Sequence, residues 1–147
     1  MDAAVIGWRE FVEFPELCDV AIKAKIDSGA RTSALHAFGL RVTESDGVAV
    51  ASFQLHPVQR SSANAVSVSL PVHGFRRVRS SDGRVEDRPT VRSVARLGDT
   101  EWPIEVTLTS RDQMGFRMLL GRSAIRRRFL VDPGRSYLQS PRPRKGT

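Results

Sequence analysis

The sequence predicts an all-β fold with many turns and one short helix. Apolar and polar residues alternate with a period of two in short segments rich in β-branched residues, which is typical of half-buried strands. Pairs of Asp and Gly at positions 46–47, 82–83 and 98–99 predict tight hairpins, because these residue types accept a positive φ. Only residues 122–128, after Gly121, have the composition and length of a helix.

The predicted strands cover most of the chain. They are residues 5–12, 20–26, 35–43, 48–55, 65–71, 75–79, 85–97, 102–109 and 118–120. No internal repeat and no linker divides them, so residues 1–138 are predicted to form one domain. Residues 139–147 are rich in Pro and basic residues, which favours a disordered tail.

The composition predicts a globular protein with its own core and without a membrane span or a disulfide. A chain of 147 residues with 40% hydrophobic residues can bury a core of its own. No apolar run approaches the roughly 18–20 residues of a membrane span, and no secretion signal is visible, so we expect a soluble, cytoplasmic protein without a membrane partner. Cys18 is the single cysteine, which excludes an internal disulfide and favours a packed side chain over a nucleophile.

The charge balance indicates a polyanionic partner. The formal net charge is +7, from 23 Lys and Arg against 16 Asp and Glu. Such a field attracts nucleic acid, a membrane surface or an acidic polypeptide.

One acidic turn follows a predicted strand. Residues 21–26 alternate apolar and basic side chains and run directly into Asp27-Ser28-Gly29-Ala30. Peptide hydrolysis by carboxylates needs two carboxyl groups close enough to share a proton, so one Asp per chain requires a second copy. Small residues after the Asp let the backbone turn sharply and approach that copy. By itself, however, an Asp-Ser-Gly turn is more often a plain turn or a helix cap.

A second motif, late in the sequence, favours a functional interpretation of the Asp27 turn. Residues 115–122 form an apolar strand that closes on Gly121-Arg122, directly before the predicted helix. An early Asp-Ser-Gly-Ala with a late apolar-apolar-Gly-Arg resembles the retropepsin-like aspartic peptidases. The resemblance implies a closed, mostly antiparallel barrel that works as a two-fold homodimer. It also implies that Asp27 is catalytic, that Ser28, Gly29 and Ala30 define the active-site loop, and that Gly121 and Arg122 support it.

The resemblance is closer to one bacterial branch. Residues 6–10, 23–37 and 114–122 are similar to small proteins labelled ATP-dependent zinc proteases, which are linked to RimK-type ATP-grasp ligases. Those ligases add glutamates to the tail of a ribosomal protein. The resemblance implies an aspartic endopeptidase whose substrate is an acidic or glutamate-rich polypeptide tail, with a RimK-type ligase as a candidate partner. The positive net charge agrees independently with such a substrate.

One position departs from the family pattern. Retropepsins usually carry an Asp after the Gly-Ala, where it pairs with the late Arg, whereas this chain has Arg31. Arg122 must therefore find another acid, or Arg31 faces the substrate and holds a carboxylate.

Further roles are predicted for one hairpin and for the two ends of the chain. The resemblance implies that the hairpin at residues 80–84 is the flap that covers the cleft, and an ordinary exposed hairpin with solvated charges is the alternative. The predicted substrate-binding residues are Arg31, Arg79, Ser81 and Arg84. The loop at residues 27–30 and the chain ends at 5–8 and 129–138 are expected to form the dimer interface.

The label of this bacterial branch names zinc and ATP, but no sequence motif for binding either of them is present. The chain has no H-E-x-x-H, no C-x-x-C and no Gly-rich phosphate loop, so no metal or cofactor is predicted, and a partner ligase would supply any ATP dependence. His36, His56 and His73 lie far apart in sequence, and whether they converge on a metal is left open.

Two other classes of function compete with the peptidase. A small basic β-barrel could bind nucleic acid, although the aromatic residues do not interleave with basic ones as stacking platforms require. A catalytically silent module of the same fold could bind an acidic peptide in its groove. Replacing Asp27 by Asn or Ala separates these classes, because only peptidase action depends on that carboxyl group.

Overall fold

The computed structural model describes residues 3–79, 82–110 and 115–140, which form strands and one short helix. The all-β prediction is therefore confirmed. The elements are β1 (Ala4–Gly7), β2 (Arg9–Val12), β3 (Ile22–Asp27), β4 (Ser33–His36), β5 (Phe38–Ser45), β6 (Val48–Leu55), β7 (Val66–Pro71), β8 (Gly74–Arg79), β9 (Val85–Leu97), β10 (Thr100–Thr109), β11 (Met118–Gly121), α1 (Arg122–Ile125) and β12 (Phe129–Asp132).

The strands form open sheets. A seven-stranded sheet has the order β2-β3-β11-β4-β10-β9-β8, a three-stranded sheet has the order β5-β6-β7, and β1 pairs with β12. Most pairings are antiparallel, while β1 with β12, β4 with β10, and β3 with β11 are parallel.

The expected closed barrel is wrong for the described residues. The large sheet curls until Glu13, just after β2, forms a single antiparallel bridge with Arg96 of β9. Their backbone N–O distances are 2.9 and 2.8 Å. The bridge does not become a ladder because a turn begins at Pro15, which has no N–H to donate.

Two predicted strands are each split between two sheets. Residues 5–12 divide at Trp8, whose N–H donates to Arg135 O while its carbonyl accepts from Ile26 N. Residues 35–43 divide at Ala37, whose N–H still donates to Thr109 O before the chain turns into the three-stranded sheet. Periodicity alone cannot detect such a change of partner, because the alternation continues through it.

The helix is shorter than predicted, and a strand follows it. Arg126 already has an extended ψ of 139°, and the φ of Arg127 is +66°, so helical geometry ends at Ile125 instead of residue 128. The chain then forms β12, which the sequence analysis did not predict. No helix in the described part of the chain is long and apolar enough to cross a membrane.

The hydrophobic core lies between the curled large sheet and the smaller sheets. Ile22 and Ala24 of β3, Leu35 of β4 and Leu120 of β11 are fully buried in it. The strands around the Asp27 turn are thus fixed by their apolar neighbours.

The last described residues fold back over the first strands. We call residues 135–140 the C-terminal strap. Glu10 is fully buried. Its carboxylate accepts five hydrogen bonds, from the backbone N–H groups of Gly7, Leu138, Gln139 and Ser140 and from the Ser140 hydroxyl. The strap therefore covers the outer side of β1 and β2, and the remainder of the predicted tail, residues 141–147, lies outside the described residues.

Candidate active site

The candidate site around Asp27 lies at the end of β11, between β3 and β4, which are consecutive in sequence. β3 and β4 both pair with β11, so the connection from Asp27 to Ser33 has to cross the end of that strand. Because neighbouring strands lie about 4.8 Å apart, the connection spans roughly 10 Å. Asp27 is the last residue of β3 and lies opposite Gly121, the last residue of β11.

The backbone of the loop fixes the Asp27 carboxylate. Its Oδ1 accepts hydrogen bonds from Gly29 N at 2.9 Å and from Ala30 N at 3.2 Å. A Cβ on Gly29 would lie 3.2 Å from the same oxygen, so a side chain there would crowd the carboxylate. Asp27 is partly buried, whereas Ser28 and Gly29 are exposed. The acid therefore sits at an accessible turn with one oxygen held in place.

Gly121 makes room for the loop. A Cβ at this position would lie 2.4 Å from the carbonyl oxygen of Thr32, closer than non-bonded atoms tolerate, and 3.0 Å from that of Ala30, which is a tight contact. Gly121 N donates instead to the Ser33 hydroxyl at 3.0 Å. Ser33 thus supports the loop, and the sequence analysis missed it because its partner is 88 residues away.

The helix α1 begins on the same loop. Arg122 N donates to Ala30 O at 2.7 Å, and Ser123 N donates to Arg31 O at 3.1 Å. No side chain caps the helix, so loop carbonyls satisfy N–H groups that a helix start leaves unpaired. The two predicted motifs, Asp27 to Ala30 and Gly121-Arg122, are therefore brought together, and their role in catalysis remains a prediction.

The departure at Arg31 leaves two arginines beside the acidic turn. The side chains of Arg31 and Arg122 are both exposed, and their backbones lie on either side of the contacts that join the loop to α1. Residues 31 and 122 thus add two exposed positive charges to the backbone segments that hold the acidic turn.

The candidate flap lies at the far edge of the large sheet. β8 and β9 form a hairpin, and β9, β10, β4 and β11 separate β8 from β3. Arg79 and Arg84 are exposed near its tip, and Arg84 forms a salt bridge with Asp82 at 3.6 Å. Ser81, also predicted to bind substrate, lies outside the described residues. Arg79 and Arg84 are thus placed on the predicted hairpin, away from Asp27 in sheet order.

Two of the three histidines come together. His36 and His56 stack on opposite sides of Phe38, with ring centroids 3.9 and 3.7 Å away, and the Arg117 guanidinium lies 4.7 Å from the Phe38 centroid. Burial, followed by the charges of Arg117 and His36, lowers the pKa of His56. Within the described ranges, no group of three or more His, Cys, Asp or Glu side chains is placed to hold a metal ion.

Cys18 has the surroundings of a packing residue. Its thiol lies 3.3 Å from the carbonyl of Val20, and burial raises its pKa above the ordinary value. A raised pKa keeps the thiol protonated, so Cys18 lacks the thiolate that a nucleophile needs.

Comparison with known proteins points to one family. The family model described as "Retropepsin-like aspartic endopeptidase RimB" matches residues 5–142, which include Asp27, Gly121 and both chain ends of the fold.

Curated relatives carry a different name. Proteins named "Probable alpha-L-glutamate ligase" from Shewanella halifaxensis and Shewanella pealeana are each 45% identical over 133 residues, which is 90% of this chain and 29% of theirs. One from Desulfotalea psychrophila is 43% identical over 129 residues, which is 88% of this chain and 28% of its own length. This chain therefore spans less than a third of the length of the relatives it matches.

A solved structure shares the fold. The crystal structure of a protein of unknown function (DUF785) from Legionella pneumophila superposes with a TM-score of 0.75 at 26% identity. The match covers 94% of this chain and 99% of that one.

Proposed function

The chain belongs to the RimB-like family of retropepsin-like aspartic endopeptidases, and on that premise we propose that it is an endopeptidase in which two copies each contribute Asp27. The observation that carries the proposal is the position of this carboxylate, anchored by backbone N–H groups on an accessible turn beside Gly121. Asp27 is the only acidic residue from position 20 to position 43. Following the retropepsin-like pattern, we assign the second carboxyl group of the pair to a second copy of the chain.

The paired carboxyl groups would share one proton. Two carboxylates a few ångströms apart cannot both ionise easily, so the pair titrates as a unit. The ionised member takes a proton from water as the water attacks the peptide carbonyl, and the protonated member donates to the carbonyl oxygen. The bonds from Gly29 N and Ala30 N to Asp27 Oδ1 support this division of labour, because they orient the carboxylate before substrate arrives.

We further propose that the substrate is an acidic, glutamate-rich polypeptide tail. The net charge of +7 and the exposed Arg31 and Arg122 beside the turn support it. The relatives named as glutamate ligases support it as well, since each carries a region similar to this chain within the same polypeptide. A RimK-type ligase is the corresponding candidate partner, and its reaction product is the kind of tail this peptidase would shorten.

The test compares the wild type with Asp27→Asn on a peptide that ends in a run of glutamates. We expect the wild type to release shortened products and the variant to release none, because Asn cannot exchange the proton. Mass spectrometry of the products is the measurement.

Asp19→Asn is the matched control, since Asp19 is exposed and lies before the other end of β3. It should cleave as the wild type does. Equal cleavage by Asp27→Asn would refute the proposal. Tight binding without cleavage by the wild type would favour the silent peptide-binding module instead.

A further inference from the structure

A cleft lies between the connection that follows Asp27, the helix α1 and the strands β8, β9 and β10 of the large sheet. Its volume is about 350 Å³, at the small end of the roughly 300–1,000 Å³ range of ligand pockets. Thr32 of that connection and Ser123 of α1 line one part of it. Farther along, Arg76 of β8, Arg92 of β9 and Glu105 of β10 line it. We call it the Glu105 cleft.

The cleft carries an excess of positive charge. Arg76, Arg92 and Arg128 line it against a single carboxylate, that of Glu105. Arg92 and Glu105 lie directly opposite each other in the β9–β10 ladder, and Pro103 and Thr107 flank Glu105 on the same face of β10. The ladder thus places cation and anion side by side on the floor of the cleft.

Glu105 is shared loosely between its two arginines. It lies 3.5 Å from Arg76 and 3.6 Å from Arg92, well beyond the 2.7–2.9 Å of a strong charge-assisted hydrogen bond. The side chains of Arg76 and Arg92 remain 41% and 60% exposed. Exposed pairs of this kind contribute only about 0–1 kcal/mol, so a competing carboxylate can displace Glu105 at little cost.

We propose that the Glu105 cleft is the subsite that selects an acidic side chain of the substrate, with Arg76 and Arg92 as the specificity residues and Glu105 as an internal competitor. A substrate carboxylate would bind between the two guanidinium groups in place of Glu105. This inference rests on the proposed function and deepens it. It also moves the selection of acidic substrates from the hairpin tip, where the sequence analysis placed Arg79 and Arg84, to the floor of the cleft beside the loop.

The test measures binding separately from catalysis. All variants are made in the Asp27→Asn background, and fluorescence anisotropy gives the dissociation constants of two labelled peptides of equal length, one with a glutamate run and one with a glutamine run. Arg76→Gln and Arg92→Gln should each weaken binding of the glutamate peptide roughly tenfold, as expected for one lost charge-assisted contact. Binding of the glutamine peptide should stay unchanged.

Glu105→Gln should act in the opposite direction. Removing the internal competitor while keeping the side-chain shape should tighten binding of the glutamate peptide at least threefold, and the gain should shrink at high salt. Arg41→Gln is the control for Arg76→Gln and Arg92→Gln. Arg41 is exposed on β5 in the three-stranded sheet, so this substitution removes the same charge away from the cleft. It should leave both dissociation constants within twofold of the parent.

The outcomes separate this inference from the proposed function. Unchanged binding in Arg76→Gln and Arg92→Gln, weaker binding in Glu105→Gln, or no binding of the glutamate peptide by the parent would overturn the subsite. If the parent binds and the variants behave as expected, but active wild-type protein cleaves nothing, the subsite stands and the peptidase proposal fails.

Discussion

At the residue scale, two glycines determine where the Asp27 carboxylate can lie. Gly29 leaves space around Oδ1, and Gly121 lets the carbonyls of Ala30 and Thr32 pass over the end of β11. The carboxylate is then held by N–H groups that belong to the backbone of its own loop. Neither glycine needs a positive φ, so the requirement at both positions is space, not backbone flexibility.

Gly121→Ala should therefore both destabilise the fold and displace the loop. The new Cβ would lie 2.4 Å from Thr32 O, a backbone atom that cannot rotate away. Overpacking of this kind costs about 1–3 kcal/mol. Urea denaturation gives the change in the free energy of unfolding, and peptide cleavage should fall even at temperatures where the variant remains folded.

Gly134→Ala is the matched control for that substitution. A Cβ at position 134 would lie 3.6 Å from Asp132 Oδ1, an ordinary contact, and its φ is not positive. We expect a change within about 0.5 kcal/mol. If both alanines had the same effect, the crowding beneath the loop would not be the reason for Gly121.

At the scale of elements, the edge strand β2 depends on the C-terminal strap. The strap supplies Arg135 O to Trp8 N and Tyr137 N to Arg9 O, so it pairs with backbone groups that an edge strand leaves open. Gly7 faces Arg135 O so closely that a Cβ would lie 2.3 Å from it. Glu10 ties the strap down, because its buried carboxylate is the common acceptor for residues 138–140.

Glu10→Gln should loosen the strap. The side-chain amide of Gln has an NH2 group in place of one carboxylate oxygen. The N–H groups that now donate to that oxygen would then face another donor and lose their acceptor. Each carboxylate oxygen accepts at least two hydrogen bonds, and bonds to a charged group contribute about 1.5–3 kcal/mol each, so we expect a total loss of at least about 3 kcal/mol. Urea denaturation reports the loss, and amide hydrogen exchange should show faster exchange at Leu138 and Ser140.

Glu16→Gln serves as the comparison, since Glu16 is exposed in the turn after β2 and the substitution removes the same charge. Its stability should match that of the wild type. If the strap amides of Glu10→Gln exchanged as slowly as those of the wild type, the carboxylate would not be what holds the strap.

The sequence predicted those elements whose signals are local. Asp27-Ser28-Gly29-Ala30 and Gly121-Arg122 are short motifs, and the Asp46-Gly47 turn has φ values of +54° and +78°, which a hairpin needs. Features that depend on distant partners were missed. Glu10 reads as one more polar residue of an alternating strand, although its acceptor role depends on partners up to 130 residues away.

The failure of the barrel prediction has the same origin. Closure depends on the pairing of β2 with β9, and Pro15 prevents the single Glu13–Arg96 bridge from extending. Propensity and alternation describe each strand correctly but do not specify which strand lies beside it.

At the scale of the whole molecule, the pair β1 and β12 exposes two large apolar side chains at the chain ends where the dimer interface is predicted. Val5 is 40% exposed and Leu130 is 62% exposed, and the two residues lie opposite each other in the ladder. This two-stranded sheet is separate from the larger sheets in the described residues. The sequence analysis placed the dimer interface at these chain ends, and the proposed catalytic pair requires such an interface.

Leu130→Lys should weaken the dimer and, with it, cleavage at low protein concentration. Burying a leucine is worth about 1.5–3 kcal/mol, so the dimer dissociation constant should rise at least tenfold. Sedimentation velocity measures the dimer, and far-UV circular dichroism checks that each chain stays folded.

Val48→Lys is the control for that charge. Val48 is 53% exposed at the turn between β5 and β6, outside the proposed interface. It should remain as dimeric as the wild type. Equal dissociation of both variants, or a dimer unaffected by Leu130→Lys, would place the contact elsewhere.

The proximity of Val5 and Gln139 has a consequence for longer polypeptides. Gln139 Nε2 donates to Val5 O at 3.1 Å, so the backbone enters and leaves this fold at neighbouring points. Chain fused before residue 5 or after residue 140 would therefore emerge from the same side. In a longer polypeptide, such an arrangement would let this region be joined to neighbouring segments from one side of the fold.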